Sequence, residues 1–164
     1  NIQKLKDLRQ VQVKYKQTKG AFADNFEELI YFLKNDSIKI VKAIGETPDS
    51  LTDNEALELG IISRDTAYVL AIETTFDVAY IDNRNNKFPL DIENLTTVPH
   101  SDAVYSIDAG IIEKGNVIVQ VFEISTNYAK VFTGLDAKNK SYELDDLLKV
   151  GSMDEASLNG NWGE

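Results

Sequence analysis

The sequence has no cysteine and a single histidine, His100, in 164 residues. Disulfides, thiolate nucleophiles and cysteine-based metal sites are thereby excluded, as is any zinc site built on two or more imidazoles. No run of 18 apolar residues occurs, so this stretch of chain does not cross a bilayer as a helix. Basic groups are scarce: 17 Lys and Arg stand against 27 Asp and Glu, for a formal charge of −10. That balance leaves little for a sequence-independent grip on phosphates, and nucleic acid is not an expected partner. Phosphate cradles of the G-x-x-x-x-G-K or G-x-G-x-x-G type are missing too. With 43% hydrophobic and 27% charged residues, the chain is nevertheless long and apolar enough to bury a core of its own.

Charge is unevenly placed. Residues 1–20 hold Lys4, Lys6, Arg9, Lys14, Lys16 and Lys19 against Asp7, a net +5, so the remaining 144 residues carry −15. Such a run is either a solvated helix face or a stem held near an anionic membrane surface. Within it Ile2, Leu5, Leu8, Val11 and Tyr15 recur at spacings of three or four, one narrow apolar stripe on a helix. The stripe fits a helix seam between molecules, and it fits equally a helix packed on the protein's own sheet. Lys19 and Gly20 close the segment, since glycine suits the left-handed position after a helix.

A second helix is expected from Asp24 as cap with Glu27 three residues on, burying Phe26, Leu29, Ile30 and Leu33. A third takes Thr52 as cap and Glu55 as its return partner, contains Leu57 and Leu59, and stops at Gly60. Between them Ile38, Ile40, Val41 and Ile44 form a β-branched run, and residues 66–72 alternate with a period of two, so both read as strands. From Glu73 to His100 the Asp82-Asn83-Arg84-Asn85-Asn86 run and Pro89 and Pro99 predict a long loop with short structured pieces. The clearest β signal is a hairpin of 103–113 and 117–125 turned by Lys114-Gly115-Asn116. Its second strand is apolar on both faces near the middle and is expected at the centre of a sheet. Short helices are expected over 128–135 and 141–148, then a polar tail that packs through Trp162.

Catalytic patterns are weak. His100-Ser101-Asp102 has the residue types of an acyl-transfer triad, but adjacent residues do not converge their side chains as nucleophile, base and orienter. The 82–86 run is rich in oxygen ligands but has Arg at its third place and no glycine at the turn a calcium loop needs. Asp145 with Asp146, and Asp154 with Glu155, would serve glycoside chemistry only across a cleft. No catalytic, cofactor or metal residues are assigned, and no enzyme is expected.

Three triplets share one form: Asp36-Ser37-Ile38, Asp49-Ser50-Leu51 and Asp65-Thr66-Ala67. Asp and hydroxyl residues also recur at caps and turns for local backbone reasons. The triplets resemble the acceptor sequence for O-linked glycans on exported proteins of some gut and environmental bacteria, which would make Ser37, Ser50 and Thr66 the acceptors.

The order Leu8-Arg9-Gln10-Val11-Gln12-Val13-Lys14-Tyr15-Lys16, Lys19-Gly20-Ala21-Phe22, Phe26-Glu27-Glu28-Leu29 is similar to the stem-to-head passage of pseudopilins. With Leu148-Lys149-Val150-Gly151-Ser152 and Asn159-Gly160-Asn161-Trp162, the stem also resembles an uncharacterised family of bacterial and phage-encoded envelope proteins with one N-terminal membrane span. The resemblance implies an anchor before Asn1 and supplies no activity. The calcium loop of some pseudopilin heads has no matching residues here.

These readings predict an α+β protein, N-terminal helices packed on an antiparallel sheet, divided into a stem (1–20), a head (21–150) and a tail (151–164). The expected role is a non-catalytic, membrane-tethered domain in the periplasm or at the cell surface. It would assemble with itself or other proteins through the stripe Ile2, Leu5, Leu8, Val11 and Tyr15. The alternative is a ligand-binding module or phage structural protein that uses the loop 73–100, and a hydrolase ranks last.

Overall fold

A computed structural model describes residues 1–135 and 142–163. The chain runs α1 (Ile2–Lys19), α2 (Phe26–Asn35), β1 (Ser37–Ile44), α3 (Asp53–Glu58), β2 (Ser63–Leu70), α4 (Ala71–Thr75), α5 (Val78–Asn83), β3 (Ser106–Lys114), β4 (Val117–Asn127), α6 (Tyr128–Val131) and β5 (Leu147–Ser152). The class is α+β, with all strand pairs antiparallel. One sheet has the order β3-β4-β5, placing β4 at the centre as its two apolar faces predict, and β1 and β2 form a separate ribbon.

The body is built by laying α1 on the three-stranded sheet. Leu5, Leu8 and Val11 are fully buried and share one core with Phe122, Ile124, Leu148 and Val150 of the sheet and with Leu29, Phe32 and Leu33 of α2. Phe22, in the turn after α1, stacks tilted on Phe122 at 4.7 Å between centroids. Gly20 takes the left-handed conformation at φ 88° and its N–H donates to the Lys16 carbonyl, closing α1 where the Lys-Gly pair predicts. Because the expected stem shares its core with the expected head, it is an integral layer of the fold. Trp162 of the tail packs against that core as well.

The second helix starts one residue later than its sequence suggests. Asn25, not Asp24, is the cap, its side chain accepting from the Glu28 N–H at 2.8 Å. The cause lies in α1: the buried Gln12 side chain donates to the Ala23 carbonyl (2.7 Å) and accepts from the Ala23 N–H (2.9 Å), which pins Ala23 and leaves Asp24 in the turn. At α3 the reciprocal Thr52–Glu55 cap forms as predicted. Lys114 pairs with Val117 across Gly115 (φ 57°) and Asn116 (φ 65°), the two positive-φ residues of a tight hairpin turn.

The helix expected over 141–148 is corrected. Residue 141 lies outside the described residues, 142–146 are irregular, and Leu147–Ser152 is strand β5. Leu148 and Val150 point into the core on alternate positions while Lys149 turns outward to Glu123 at 2.6 Å. A methyl group added at Gly151 (φ 77°) would lie 2.2 Å from the Phe122 carbonyl oxygen, so β5 crosses β4 at a point only glycine fits. The tail does more than offer an indole: it runs along the outer side of β5. Gly151 donates to the Asn159 carbonyl, Asn161 N–H to the Lys149 carbonyl, and the Asn161 amide bridges Lys149 N–H and the Leu147 carbonyl.

The stretch 73–100 is likewise less open than predicted. It holds the end of α4 and all of α5, buries Leu95 and Val98, and is tied to α1 by Lys4, whose ammonium donates to the Asn94 and Thr97 carbonyls. The strongest tie is internal. Asp7, fully buried on α1, receives the Arg84 guanidinium in a two-pronged contact (Nε to Oδ1 2.9 Å, Nη2 to Oδ2 2.7 Å). The Tyr80 hydroxyl (2.9 Å) and the Gln3 amide (3.0 Å) also donate to Oδ1.

Candidate functional site

The stem stripe, the expected interface, lies mostly within the chain's own core. Leu5, Leu8 and Val11 are buried inside the chain's own core, so a seam through them is corrected to an internal contact. Tyr15 is half-buried, edge-on to Phe32 at 5.3 Å with its hydroxyl donating to Glu28, and Ile2 alone of the five is classed as exposed. The basic groups of α1 are also used within the molecule. Lys4 binds the carbonyls above, Arg9 donates to the Leu158 carbonyl, Lys19 pairs with Asp36 at 2.6 Å, and Lys6 and Lys16 lie over the rings of Trp162 and Phe22.

The ribbon of β1 and β2 is an open surface. Eight residue pairs, from Ser37↔Leu70 to Ile44↔Ser63, make a two-stranded arm whose base touches α2 and α4 and is closed by the Ala71 N–H donating to the Asp36 carbonyl. At its far end Ala56 of α3 and Ile62 after it are buried and joined by the Ile62 N–H donating to the Ala56 carbonyl, and Gly45 passes so close to the Ile61 carbonyl that a methyl there would sit 2.7 Å away. Side chains alternate between the two faces of such a ribbon. The inner face half-buries Ile38, Ile40, Ala67 and Val69. The outer face, formed by the alternate residues Ser37, Lys39, Val41, Ala43, Arg64, Thr66, Tyr68 and Leu70, is exposed at every position. It carries two cations, no acid, and large apolar groups, with Tyr68 at 71% and Val41 at 53% exposure. An isolated two-stranded ribbon is marginal in water, and an uncovered apolar face of this kind is characteristic of contact surfaces.

All three Asp-hydroxyl-aliphatic triplets fall on this arm. Ser37 starts β1, Ser50 lies in the connection before α3, and Thr66 sits mid-strand opposite Val41; each is exposed. His100, Ser101 and Asp102 form the turn between the bridged Thr97 and Val104, with His100 at φ 63° and the Ser101 hydroxyl turned to its own backbone. The 82–86 run contributes Arg84 to the buried pair with Asp7. Among the described residues no group of three or more His, Asp or Glu is placed to hold a metal ion. Among the described residues no helix is long and apolar enough to cross a membrane.

A cleft of about 540 Å³ lies between α1 and α2, lined by Tyr15, Lys19, Glu28, Tyr31, Phe32 and Asp36 among others. Two pairs of its polar groups are matched to each other, Lys19 to Asp36 and Tyr15 to Glu28. In comparisons with known proteins, no family model, no curated protein and no solved structure matches this chain.

Proposed function

We propose that this chain is a non-catalytic domain tethered to the membrane and held outside the cytoplasm, and that it works in assembly through its β1–β2 arm. The observation that carries the assembly part is the arm's outer face: eight exposed residues with no acid among them, two cations, and Val41, Tyr68 and Leu70 uncovered, in a chain of net charge −10. Burying Val41, Tyr68 and Leu70 against a partner would contribute several kcal/mol at about 25 cal/mol per Å² of apolar surface. The tether rests on the likeness of the α1 segment and the 148–162 segment to single-span envelope proteins. It does not rest on the charge of α1, where Lys4, Lys6, Arg9, Lys16 and Lys19 have partners within the fold. Ser37, Ser50 and Thr66 on the exposed arm are the proposed glycan acceptors.

Fractionation of cells carrying the untruncated gene tests location. The expected result is recovery in the membrane pellet, protease sensitivity of the domain in spheroplasts, and an intact mass above that of the polypeptide. Recovery as a soluble cytoplasmic protein of unmodified mass contradicts the tether and the glycan sites together.

A further inference from the structure

The arm is electrically divided along its length. Its shaft, residues 37–44 and 63–70, carries Lys39, Lys42 and Arg64 against Asp65, a net +2. Its tip, residues 45–62, carries Glu46, Asp49, Asp53, Glu55 and Glu58 and no basic residue, a net −5. Both parts expose apolar groups: Val41, Tyr68 and Leu70 on the shaft, Leu59 and Ile61 at the tip. We infer that the arm's partner is a second copy of this chain, its arm packed antiparallel on the first about a two-fold axis. This inference rests on the assembly reading and names its occupant.

A contact about a two-fold axis uses the same patch on both partners, so whatever one arm offers its mate must also accept. An arm of uniform sign repels its own copy. This arm does not, because antiparallel overlap sets each acidic tip against the other copy's cationic shaft and makes the favourable contact twice. Parallel overlap sets tip on tip and is opposed by the same charges. Overlapped end to end, shaft plus tip, the two arms set each tip on the basal part of the other copy's shaft, which at eight residues of about 3.3 Å each is roughly 26 Å long. Two chains of net charge −10 repel at long range, so self-association needs a local patch of the opposite sign. The shaft supplies it. Complementary charge of this kind sets orientation and register, while the apolar groups between the two arms supply the burial.

The test is a charge exchange on the full chain, read by sedimentation equilibrium. One variant reverses the shaft (Lys39→Glu with Arg64→Glu, net +2 to −2) and another the tip (Glu46→Lys, Asp49→Lys and Glu58→Lys, net −5 to +1). All five positions are exposed and lie outside the Thr52–Glu55 cap and the Thr47–Asp53 hydrogen bond. The wild-type chain is expected to dimerise more weakly as salt rises. Each variant, shown to be folded by circular dichroism, is expected to lose at least tenfold in dimer affinity. An equimolar mixture of the two variants should recover a one-to-one dimer, because the reversed tip then meets the reversed shaft. A wild-type monomer at millimolar concentration overturns the inference, and so does a dimer that both reversals leave intact, or a mixture that stays monomeric. The broader assembly reading fails separately, if position 68 contacts no protein at all in cells.

Discussion

Replacing Leu8 with Asp is expected to leave no folded protein at 25 °C. Leu8 is fully buried in the core that joins α1 to the sheet. A carboxylate there has no partner and must either stay charged in an apolar site or take up a proton at a cost of several kcal/mol. Added to the lost packing of a leucine, that exceeds the 4–5 kcal/mol that marks exceptional substitutions and approaches the whole stability of a domain this size. Leu8→Ala is the graded control. It should cost about 2–5 kcal/mol and lower the melting temperature while the far-ultraviolet spectrum stays native. A folded Leu8→Asp protein that has merely lost self-association would return the stripe to the role of an intermolecular seam and contradict the core described above.

Arg84→Ala is expected to cost about 3–5 kcal/mol, because it strands the buried Asp7 carboxylate with only Tyr80 and Gln3 as donors. At about 2–4 °C per kcal/mol for a chain of this length, the melting temperature should fall by roughly 10 °C. Replacing both partners by apolar residues of similar volume, Asp7→Leu with Arg84→Met, should recover most of the loss, since a buried ion pair stabilises little against a well-packed isostere. Equal destabilisation by the single and double variants would contradict this account of the pair. The same cluster has an alkaline signature. Burial first, then the Asp7 charge and hydrogen bond, push the Tyr80 phenol well above its ordinary value, and burial raises Tyr105 likewise. The folded state therefore keeps protons that the unfolded chain releases above about pH 10. Their contribution to stability is present below that pH and is lost as pH rises further. Tyr80→Phe should flatten this alkaline fall in stability.

Local signals and long-range contacts were legible to different degrees. Lys19-Gly20, the Thr52–Glu55 cap and the Lys114-Gly115-Asn116 turn each act within a few residues, and each appears where its chemistry places it. The central position of β4 was also readable, because two apolar faces need covers on both sides. The shifted cap at Asn25 was not, since its cause is a hydrogen-bonded pair between Gln12 of α1 and Ala23 of the connection after it, eleven residues apart. β5 was hidden because Leu144, Leu147 and Leu148 have helical spacing, while the strand buries only Leu148 and Val150 of its large residues. The compact excursion 73–100 depends on Asp7 and Arg84, 77 residues apart. A run of polar residues there looks the same whether Arg84 faces water or a buried acid.

The candidate site follows the same division. Periodicity shows that the stripe from Ile2 to Tyr15 is covered, but not whether the cover is the chain's own sheet or a neighbour. The two strands of the arm were each readable from their β-branched and alternating residues. Their pairing with each other, apart from the main sheet, was not, because an 18-residue excursion through α3 separates them. Only that pairing brings Lys39 beside Tyr68 and Val41 beside Thr66 on one exposed face.

The measurement that tests the arm as a contact surface most directly is photocrosslinking in cells carrying the untruncated gene, with the reactive group at position 68 in place of Tyr68. A control group at position 113 sits on β3, in the other sheet and outside the arm. The account predicts a strong crosslinked protein adduct from position 68 and little from position 113. Equal yields from the two positions, or no adduct from position 68, would contradict it.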